Sequence, residues 1–486
     1  MSGREAGGRA PREAATPAPG APGAAPQERR ERPWAGRSIH VVGVGGAGMS
    51  GYARAAHELG ASVTGSDQIA SRATRGLRED GVLKAAIGHA AENVPAGDAV
   101  ELVYSSAVGA GNPERTAARA RGLRERPRAE LLAELSAMRR TIAVAGTHGK
   151  TTTASMIAHA LLGAGMDPGW LVGADIGGGL AGARWSEGEW LVIEADESDR
   201  SMLSLNVQIA VLTNVELDHA DAFGSLAELR EAFRAFLDRA PQAVIWDRPD
   251  LLALRSGAVE TFALPAHTGG PGGAAATRSL RWRGRDVELA VPGRHNALDA
   301  LAALEAARLA GADPDAAVAA LAAFRGAARR FQLLGRSATG ALVYDDYAHH
   351  PTEVAATLTA ARALLADGGR LVAVFQPHLF SRTARFAREF GSALALADVI
   401  VVLDVYAARE RAGEHPGVSG LLVARAAARA AAGRPVYWLP GFADAEPVLQ
   451  GRLHEGDLIV AMGAGDVDTL ARRLVREAAG PDGEHR

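Results

Sequence analysis

Short apolar segments alternate with longer helical segments along this chain, and that alternation constrains the fold more than any other feature. The first block begins with a predicted buried strand at 38–45, continues as a helix, and returns as a second strand at 61–67. Strands that alternate with helices in this way form parallel sheets covered by helices. The sequence therefore predicts an α/β protein.

The alternation recurs in three blocks, and 486 residues are too many for one core. We predict a Rossmann-like domain at 38–140, a central P-loop ATPase domain with a mostly parallel sheet at 141–332, and a Rossmann-like domain at 333–486. Residues 1–37 are rich in Ala, Pro, Gly and Arg. Such a segment cannot bury enough surface to offset its ordering entropy, so we predict a disordered tail.

Composition excludes several classes of function. The net charge of -3 gives no reason to expect nucleic acid or an acidic membrane as a partner. The chain has no cysteine, which excludes disulfides, thiolate metal sites and a cysteine nucleophile. No run of 18 apolar residues occurs, so no membrane span is expected.

The stretch GTHGKTT follows a predicted strand and opens a predicted helix. Backbone N–H groups at such a turn bind phosphate oxygens, and a lysine adds a compact charge for the β- and γ-phosphates. Only two of the 53 basic residues are lysines, Lys84 and Lys150, so retention of lysine here indicates a specific need for an ammonium. The predicted nucleotide-binding residues are Gly146, Thr147, His148, Gly149, Lys150, Thr151 and Thr152.

Carboxylates follow the next strand, in the stretch EADESD from Glu194 to Asp199. Carboxylates crowded at one strand end repel one another unless a cation is present, and Mg²⁺ prefers carboxylate, phosphate and water oxygens. His219 lies in a similar acidic stretch after the following strand. It could bind a second metal or orient a water, or it could simply be exposed.

A second glycine-rich turn, GVGGAGMSG, follows the first strand, and Asp67 ends the second strand. This is the pattern of a diphosphate-binding Rossmann turn, although it does not distinguish a dinucleotide from a UDP-sugar. A later predicted strand at 99–108 contains small hydroxyl residues near its end. The predicted substrate-binding residues of this domain are Gly45, Gly46, Ala47, Gly48, Asp67, Ser105 and Ser106.

Three further stretches place polar side chains beside predicted strands or helices. Asn296 lies near a helix start, where a helix N-cap is at least as good an interpretation as ligand contact. The stretches VYDDYAHHPTE and FQPHLFSRT follow strands of the third block, where sites form in open α/β sheets. Their candidate residues are Asp345, Asp346, His349, His350, His378 and Arg382.

Together these stretches resemble the Mur ligases over roughly residues 38–470, because they occur in that family's order and approximate spacing. The resemblance implies a cytoplasmic, ATP-dependent and Mg²⁺-dependent enzyme, a monomer or weak homodimer, that joins L-alanine to the carboxylate of UDP-N-acetylmuramate through an acyl phosphate.

The resemblance also implies the roles of individual residues. Lys150 and Arg330 would contact ATP phosphates, Asn296 the adenine, and Asp346 or Asp345 the ribose. Metal ligands would be Thr151, Glu194 and His219. Residues facing the muramoyl carboxylate and the amino acid would be His349, His350 and Arg382, with His378 beside them.

The chain departs from the family pattern in these stretches, and two of the departures are at Leu379 and Asp299. Leu379 stands where the usual phrase, close to FQPHRYTRT, has its first arginine. Asp299 replaces the second asparagine of HNALNA. The first departure bears on the substrate clamp around Arg382.

Three other functions fit parts of these patterns. A ligase of the same fold could attach a recycled murein peptide instead of one amino acid. A nicotinamide dehydrogenase would fit the first glycine-rich turn but would give Lys150 no role. A GTPase would need an N-K-x-D motif, and neither lysine of the chain lies in one.

Overall fold

The computed structural model describes residues 32–218, 223–264 and 277–475. Within these ranges three separate sheets are covered by helices, and the predicted α/β architecture is confirmed. None of the helices in the described ranges is long and apolar enough to cross a membrane.

The first sheet has five parallel strands. Its strands are β1 (Ser38–Val42), β2 (Ser62–Asp67), β3 (Ala86–Ile87), β4 (Val100–Tyr104) and β5 (Arg124–Pro127), and its helices are α1 (Ala47–Glu58), α2 (Arg72–Glu79), α3 (Pro113–Ala120) and α4 (Arg128–Ala137). The strand order is β3-β2-β1-β4-β5, which places the ends of β1, β2 and β4 side by side. The predicted strand at 99–108 is therefore shorter than expected, and Ser105 and Ser106 follow it.

The predicted tail also ends earlier than expected. Trp34 is 4% exposed, and its backbone N–H donates to the backbone carbonyl of Leu59. Arg37 donates to the carboxylates of Glu101 and Glu134. Residues 32–37 thus belong to the first domain, because one large apolar ring and one well-paired arginine offset the cost of ordering the segment. Residues 1–31 lie outside the described ranges.

The central sheet has seven strands, namely β6 (Arg140–Ala145), β7 (Gly169–Leu171), β8 (Ala183–Arg184), β9 (Trp190–Glu194), β10 (Ile209–Leu212), β11 (Gln242–Trp246) and β12 (Glu260–Phe262). Their order is β12-β11-β10-β6-β9-β7-β8, and all are parallel except β8. A separate antiparallel hairpin is formed by β13 (Ser279–Trp282) and β14 (Arg285–Glu288). The helices are α5 (Lys150–Gly163), α6 (Leu226–Asp238), α7 (Pro249–Leu252), α8 (Arg294–Leu309) and α9 (Pro314–Ala323).

The third sheet has six strands, namely β15 (Gln332–Arg336), β16 (Leu342–Asp346), β17 (Leu371–Phe375), β18 (Val399–Val402), β19 (Val436–Trp438) and β20 (Leu458–Met462). Their order is β15-β16-β20-β17-β18-β19, and only β15 is antiparallel to its neighbour. The helices are α10 (Pro351–Arg362), α11 (Phe380–Leu394), α12 (Gly420–Ala430), α13 (Phe442–Gln450) and α14 (Val467–Leu474).

One buried apolar cluster includes residues of two domains, whereas the clusters of the third domain include its own residues alone. One cluster contains residues of both the first and the central domain, from Trp34 to Leu254. The two clusters on either side of the third sheet contain buried residues from 331 to 474 alone. In the described part of the chain, the first two domains therefore share a hydrophobic core, and the third domain has its own.

Candidate active site between the domains

The loop between β6 and α5 has the geometry of a phosphate-binding turn. Gly146 has φ +134°, and a Cβ there would lie 2.1 Å from Thr213 Oγ1. Gly149 has φ +83° and immediately precedes the helix. Both positions favour glycine, because a side chain would be strained at each, and a Cβ at Gly149 would also lie 2.6 Å from Asp299 Oδ1. The loop thus places the N-terminus of α5 directly after the end of β6, where a phosphate-binding turn is expected.

Lys150 occupies the first turn of this helix, and its ammonium lies inside the loop. The Nζ atom donates to Gly146 O at 2.7 Å and to both carboxylate oxygens of Glu197, at 3.0 and 2.9 Å. Burial works against the charged form, yet the neighbouring carboxylates, Glu197 first among them, raise the pKa of Lys150 above its usual value. The lysine is therefore a buried, compensated cation beside the loop.

Thr151 lies at the centre of a second group of contacts. Its hydroxyl donates to Glu194 Oε1 at 2.9 Å and accepts from Arg330 Nη2 at 3.1 Å. The other oxygen of Glu194 accepts from the N–H of Gly173 at 2.9 Å. Residues predicted from three separate stretches are thus brought together at the ends of β6 and β9. The predicted metal ligand His219 lies outside the described residues.

Thr147 and His148 of the loop face the neighbouring strand end. Thr147 Oγ1 donates to Glu216 O at 2.9 Å, and the backbone N–H of His148 donates to Asn214 Oδ1 at 2.9 Å. Thr152 is buried in the first turn of α5. These contacts hold the loop against the segment after β10.

The first glycine-rich turn joins β1 to α1, which begins at Ala47 after Gly46. The N–H of Gly45 donates to Asp67 Oδ2 at 2.8 Å, so the acidic residue at the end of β2 holds the turn. A Cβ at Gly43 would lie 3.2 Å from that of Ser105, which places Ser105 against the same turn. Ser106 is exposed beyond it.

Arg128 connects this turn to the acidic stretch of the central domain, and the sequence analysis did not single it out. Its guanidinium bonds Asp196 Oδ2 at 2.9 Å and also bonds the carboxylate of Asp199. A Cβ at Gly48 would lie 3.3 Å from Arg128 Nη1. A lone arginine at the start of a helix carries no local pattern that predicts this connection.

His148 links the central domain to the third domain. Its Nε2 lies 3.3 Å from Glu216 Oε2, and its Nδ1 lies 3.2 Å from Glu353 Oε1. Burial would lower the pKa of His148, but these two carboxylates raise it to about 9. Thr352 Oγ1 also donates to Glu216 Oε2, at 2.7 Å. The contact is thus an imidazolium held between two carboxylates from different domains.

The donor atoms of His148, Glu216 and His350 all lie within 4.8 Å of one another, as the ligands of a transition metal would. The hydrogen bonds argue for a different use. An imidazolium that donates from both nitrogens has no lone pair for a metal. We therefore interpret this group as an interdomain hydrogen-bond network.

Arg382 makes a second link between the same two domains. Its Nη2 lies 2.9 and 3.0 Å from the two oxygens of Asp218, and each side chain is 7% exposed. Arg382 Nη1 also approaches His378 Nδ1 at 3.3 Å, and the rings of His378 and His349 lie 5.8 Å apart. The three predicted residues are therefore neighbours, and Asp218 is an additional member that the sequence analysis missed.

His350 has a structural task at the start of α10. Its ring nitrogen Nδ1 accepts from the backbone N–H of Thr352, and the side chain of Glu353 accepts from the backbone N–H of His350. These two contacts belong to a capping box at the start of the helix. Burial lowers the pKa of His350. The ring is therefore part of the helix cap that also places Glu353 against His148.

The structure corrects the N-cap interpretation of Asn296. The residue before α8 is Gly293, with φ +109°, and Asn296 lies inside the first turn. Its Nδ2 donates to the carbonyl of Pro292 at 2.6 Å. Glycine can adopt that φ without strain, so the helix begins earlier than a search for capping side chains predicts.

Asp346 and Asp345 are both buried at the end of β16. The carboxylate of Asp346 accepts from the N–H groups of Phe331 and Ala348, each at 2.7 Å. Asp345 lies 3.3 Å from the Nε of Arg329. Burial raises the pKa of each aspartate to about 6. Asp346 thus braces the segment that joins the central and third domains, next to Arg330.

Comparison with known proteins covers nearly the whole described chain. Residues 38–140 match "Mur ligase family, catalytic domain", residues 144–307 match "Mur ligase middle domain", and residues 329–465 match "Mur ligase, glutamate ligase domain". The UDP-N-acetylmuramate–L-alanine ligase of Mycolicibacterium vanbaalenii is 44% identical over 479 residues, covering 93% of this chain and 98% of the relative. The enzyme of the same name from Kineococcus radiotolerans is 47% identical over 464 residues, covering 90% and 95%.

Solved structures agree with the sequence relatives. The UDP-N-acetylmuramate–alanine ligase of Thermotoga maritima superposes with a TM-score of 0.75 at 27% identity, covering 90% of this chain and 98% of its own. A murein peptide ligase from Psychrobacter arcticus superposes with a TM-score of 0.66 at 26% identity and the same coverage. The three matched regions and the relatives at more than 40% identity show that the chain belongs to the Mur ligase family.

Proposed function

We propose that this enzyme joins L-alanine to the carboxylate of UDP-N-acetylmuramate, with conversion of ATP to ADP and phosphate, in the synthesis of peptidoglycan precursors. The observation that carries the proposal is the pair of phosphate-type turns, at Gly43–Gly48 and at Gly146–Lys150, in two domains that share one hydrophobic core. A dehydrogenase needs only the first turn and a simple ATPase only the second. A ligase that activates a sugar-nucleotide acid needs both.

The reaction that fits this arrangement has two steps. A carboxylate oxygen of the sugar attacks the γ-phosphorus of ATP, the bond to ADP breaks, and an acyl phosphate forms. The amine of alanine then attacks the carbonyl carbon, and phosphate leaves as the amide forms and a proton is lost. Lys150 and Arg330 would bind the transferring phosphoryl group, because each places a cation beside the loop.

The residues beside this loop fit a Mg²⁺ ion. The hydroxyl of Thr151 and the carboxylate of Glu194 lie 2.9 Å apart and are the hard oxygen donors that Mg²⁺ prefers. When bound there together with phosphate oxygens, the ion would neutralise phosphate charge. His219 would contribute to a second ion. Asn296 would contact the adenine and Asp346 the ribose.

The third domain would bind the amino acid on the surface that carries Arg382. His349, His350 and His378 would line that side, and His148 with Glu353 would hold the domain closed over the acyl phosphate. Closure matters because water would hydrolyse an exposed acyl phosphate. The first domain would bind the UDP group through Gly45 to Gly48, with Asp67, Ser105 and Ser106 at the turn. We expect a monomer or weak homodimer.

The test is phosphate release from ATP with single components omitted. We expect negligible release with ATP and Mg²⁺ alone, and strong release only when UDP-N-acetylmuramate and a small amino acid are both present, with L-alanine best. With ¹⁸O in the sugar carboxylate, one label should appear in the released phosphate. Equal release without the sugar nucleotide, or unlabelled phosphate, would contradict the proposal. A preference for a murein peptide over L-alanine would instead favour the peptide-ligase alternative.

A further inference from the structure

The segment that joins the central and third domains, residues 326–331, changes its attachment between one residue and the next. The backbone N–H of Ala328 donates to the carbonyl of Asp175, which lies between β7 and β8, at 2.8 Å. The carbonyl of Arg329 instead accepts from the backbone N–H of Tyr347, just after β16, at 2.7 Å. Ala328 is therefore fixed to the central domain and Arg329 to the third domain.

The side chain of Arg329 adds to its attachment to the third sheet. Its Nη1 donates to the carbonyl of Gly465 at 2.9 Å and its Nη2 to the carbonyl of Gly463 at 2.8 Å, both after the end of β20. Its Nε lies 3.3 Å from Oδ2 of Asp345, which is fully buried in β16. One guanidinium thus holds the joining segment against the ends of two neighbouring strands.

Two residues of the joining segment have an unusual backbone conformation. Arg329 has φ +57° and Phe331 has φ +50°, in the left-handed region that residues other than glycine rarely adopt. Such a conformation persists only where the surrounding contacts impose it. The backbone N–H of Phe331 donates to Asp346, and its ring stacks on that of Tyr344 with centroids 4.5 Å apart. The third domain therefore fixes the backbone on both sides of Arg330.

Arg330 is held by the third domain, but its side chain reaches back to the central domain. Its Nη2 donates to Thr151 Oγ1 in the first turn of α5 at 3.1 Å, and its Cζ lies 4.9 Å from the ring centroid of Tyr347. Because the residues on both sides are attached to the third domain, movement of that domain away from the loop must withdraw this guanidinium. The contact of Arg330 with the phosphate-binding loop thus depends on how the joining segment is held.

We propose that Arg329 is a positioning residue, which fixes the backbone from which Arg330 reaches the phosphate-binding loop. The proposal rests on the proposed function, in which Arg330 binds the transferring phosphoryl group. The described side-chain contacts of Arg329 all lie within the third domain, so its effect on the reaction must pass through its neighbour. Its loss should lower kcat, because a displacement of about 1 Å in a group that contacts the reacting atoms slows a reaction strongly.

The test is a double-mutant cycle of Arg329→Gly and Arg330→Gln, with kcat of alanine-dependent phosphate release as the measured quantity. Glycine adopts the left-handed φ freely, so the first variant removes the side-chain attachments without adding backbone strain. We expect Arg329→Gly alone to lower kcat about tenfold or more, with the KM for UDP-N-acetylmuramate near that of the unmodified enzyme. In the Arg330→Gln background the same change should lower kcat less than about twofold, because the group that it positions is already absent.

Two further variants complete the experiment. Arg336→Gln is the matched control, because this exposed arginine also donates to a glycine carbonyl of the third domain, that of Gly340, at 2.9 Å. It should leave kcat unchanged. Arg329→Lys keeps the charge in a compact head group that replaces only part of the lost contacts, so its kcat should lie between those of Arg329→Gly and the unmodified enzyme. It takes the place of Arg329→Gly in the cycle if the glycine variant does not fold.

The outcomes separate a positioning role from a merely structural one. An equal loss of kcat in both backgrounds would overturn the proposal, because a structural effect adds to that of Arg330→Gln. Near-native kcat in Arg329→Gly would overturn it as well. Absence of alanine-dependent phosphate release in the unmodified enzyme would instead show that the proposed function itself is wrong.

Discussion

The ammonium of Lys150 lies 2.9 and 3.0 Å from the two carboxylate oxygens of Glu197, and Glu197 is 1% exposed. The same nitrogen contacts two carbonyl oxygens of its own loop, those of Gly146 and Thr147. A compact ammonium with three donors fits among these oxygens. A planar guanidinium is wider and has fixed donor directions, so it cannot take the same position.

Replacement of Lys150 by arginine should therefore abolish ATP turnover although the charge is kept. We expect kcat to fall about 100-fold or more, as for loss of one well-placed donor to the transition state. The matched control is Lys84→Arg, because the other lysine of the chain is exposed in the first domain. Near-native turnover in Lys150→Arg would remove the main argument for its phosphate role.

The contact of His148 with Glu216 and Glu353 should make stability depend on alkaline pH. Because the folded pKa of about 9 exceeds the unfolded value near 6.5, the stabilisation is complete below about pH 6.5 and is lost as the pH rises through 9. Thermal unfolding between pH 6.5 and 9.5 should show a loss of about 2 kcal/mol that His148→Gln lacks. Parallel pH profiles for the two proteins would contradict this assignment.

Asp299 should also make the stability of the fold depend on pH, in this case because burial disfavours its charged form. Burial raises its pKa to about 8, above the unfolded value near 3.9, so the native state holds a proton that the unfolded chain has lost. Stability therefore falls as the pH rises from about 4 to about 8. Asp299→Asn, which restores the family's residue, should raise stability by about 1 to 2 kcal/mol at pH 8 and by much less at pH 5. An equal gain at both pH values would show that the carboxyl is not protonated in the native state.

Two truncations should separate the tail from the fold. Deletion of residues 2–31 should leave the thermal midpoint and activity unchanged, because that sequence is poor in bulky apolar residues. Deletion of residues 2–37 also removes Trp34 and Arg37, and should cost about 3 kcal/mol or more. Trp34→Ala in the full chain should reproduce most of that loss. Equal midpoints for both truncations would show that the buried ring contributes little.

The parts that could be predicted from the sequence are those that one local pattern encodes. The strand, the glycine-rich turn and the following helix are adjacent in sequence at both Gly43–Gly48 and Gly146–Lys150, so spacing alone predicts them. The position of Glu194 beside the second turn could also be predicted, because the ends of neighbouring parallel strands meet at one edge of a sheet. The domain boundaries and the individual roles of the site residues remain predictions.

The contacts that sequence patterns missed join residues far apart in the chain. Arg128 bonds Asp196 across 68 positions, Asp218 bonds Arg382 across 164, and His148 approaches Glu353 across 205. Local periodicity says which element a residue occupies, but it does not say which surfaces of two domains meet. Charged residues near helix starts are also common without any such partner, so nothing marked these three pairs in advance.

The separate hydrophobic core of the third domain determines which contacts break when that domain separates from the central domain. The described links between the central and third domains include the ion pair of Arg382 with Asp218 and the imidazolium bridge of His148 to Glu353. Separation of these domains breaks charged contacts that water and dissolved ions can replace, whereas separation of the first two domains would expose hydrocarbon. Ionic strength should therefore shift the balance between closed and open enzyme while the first two domains remain a single unit.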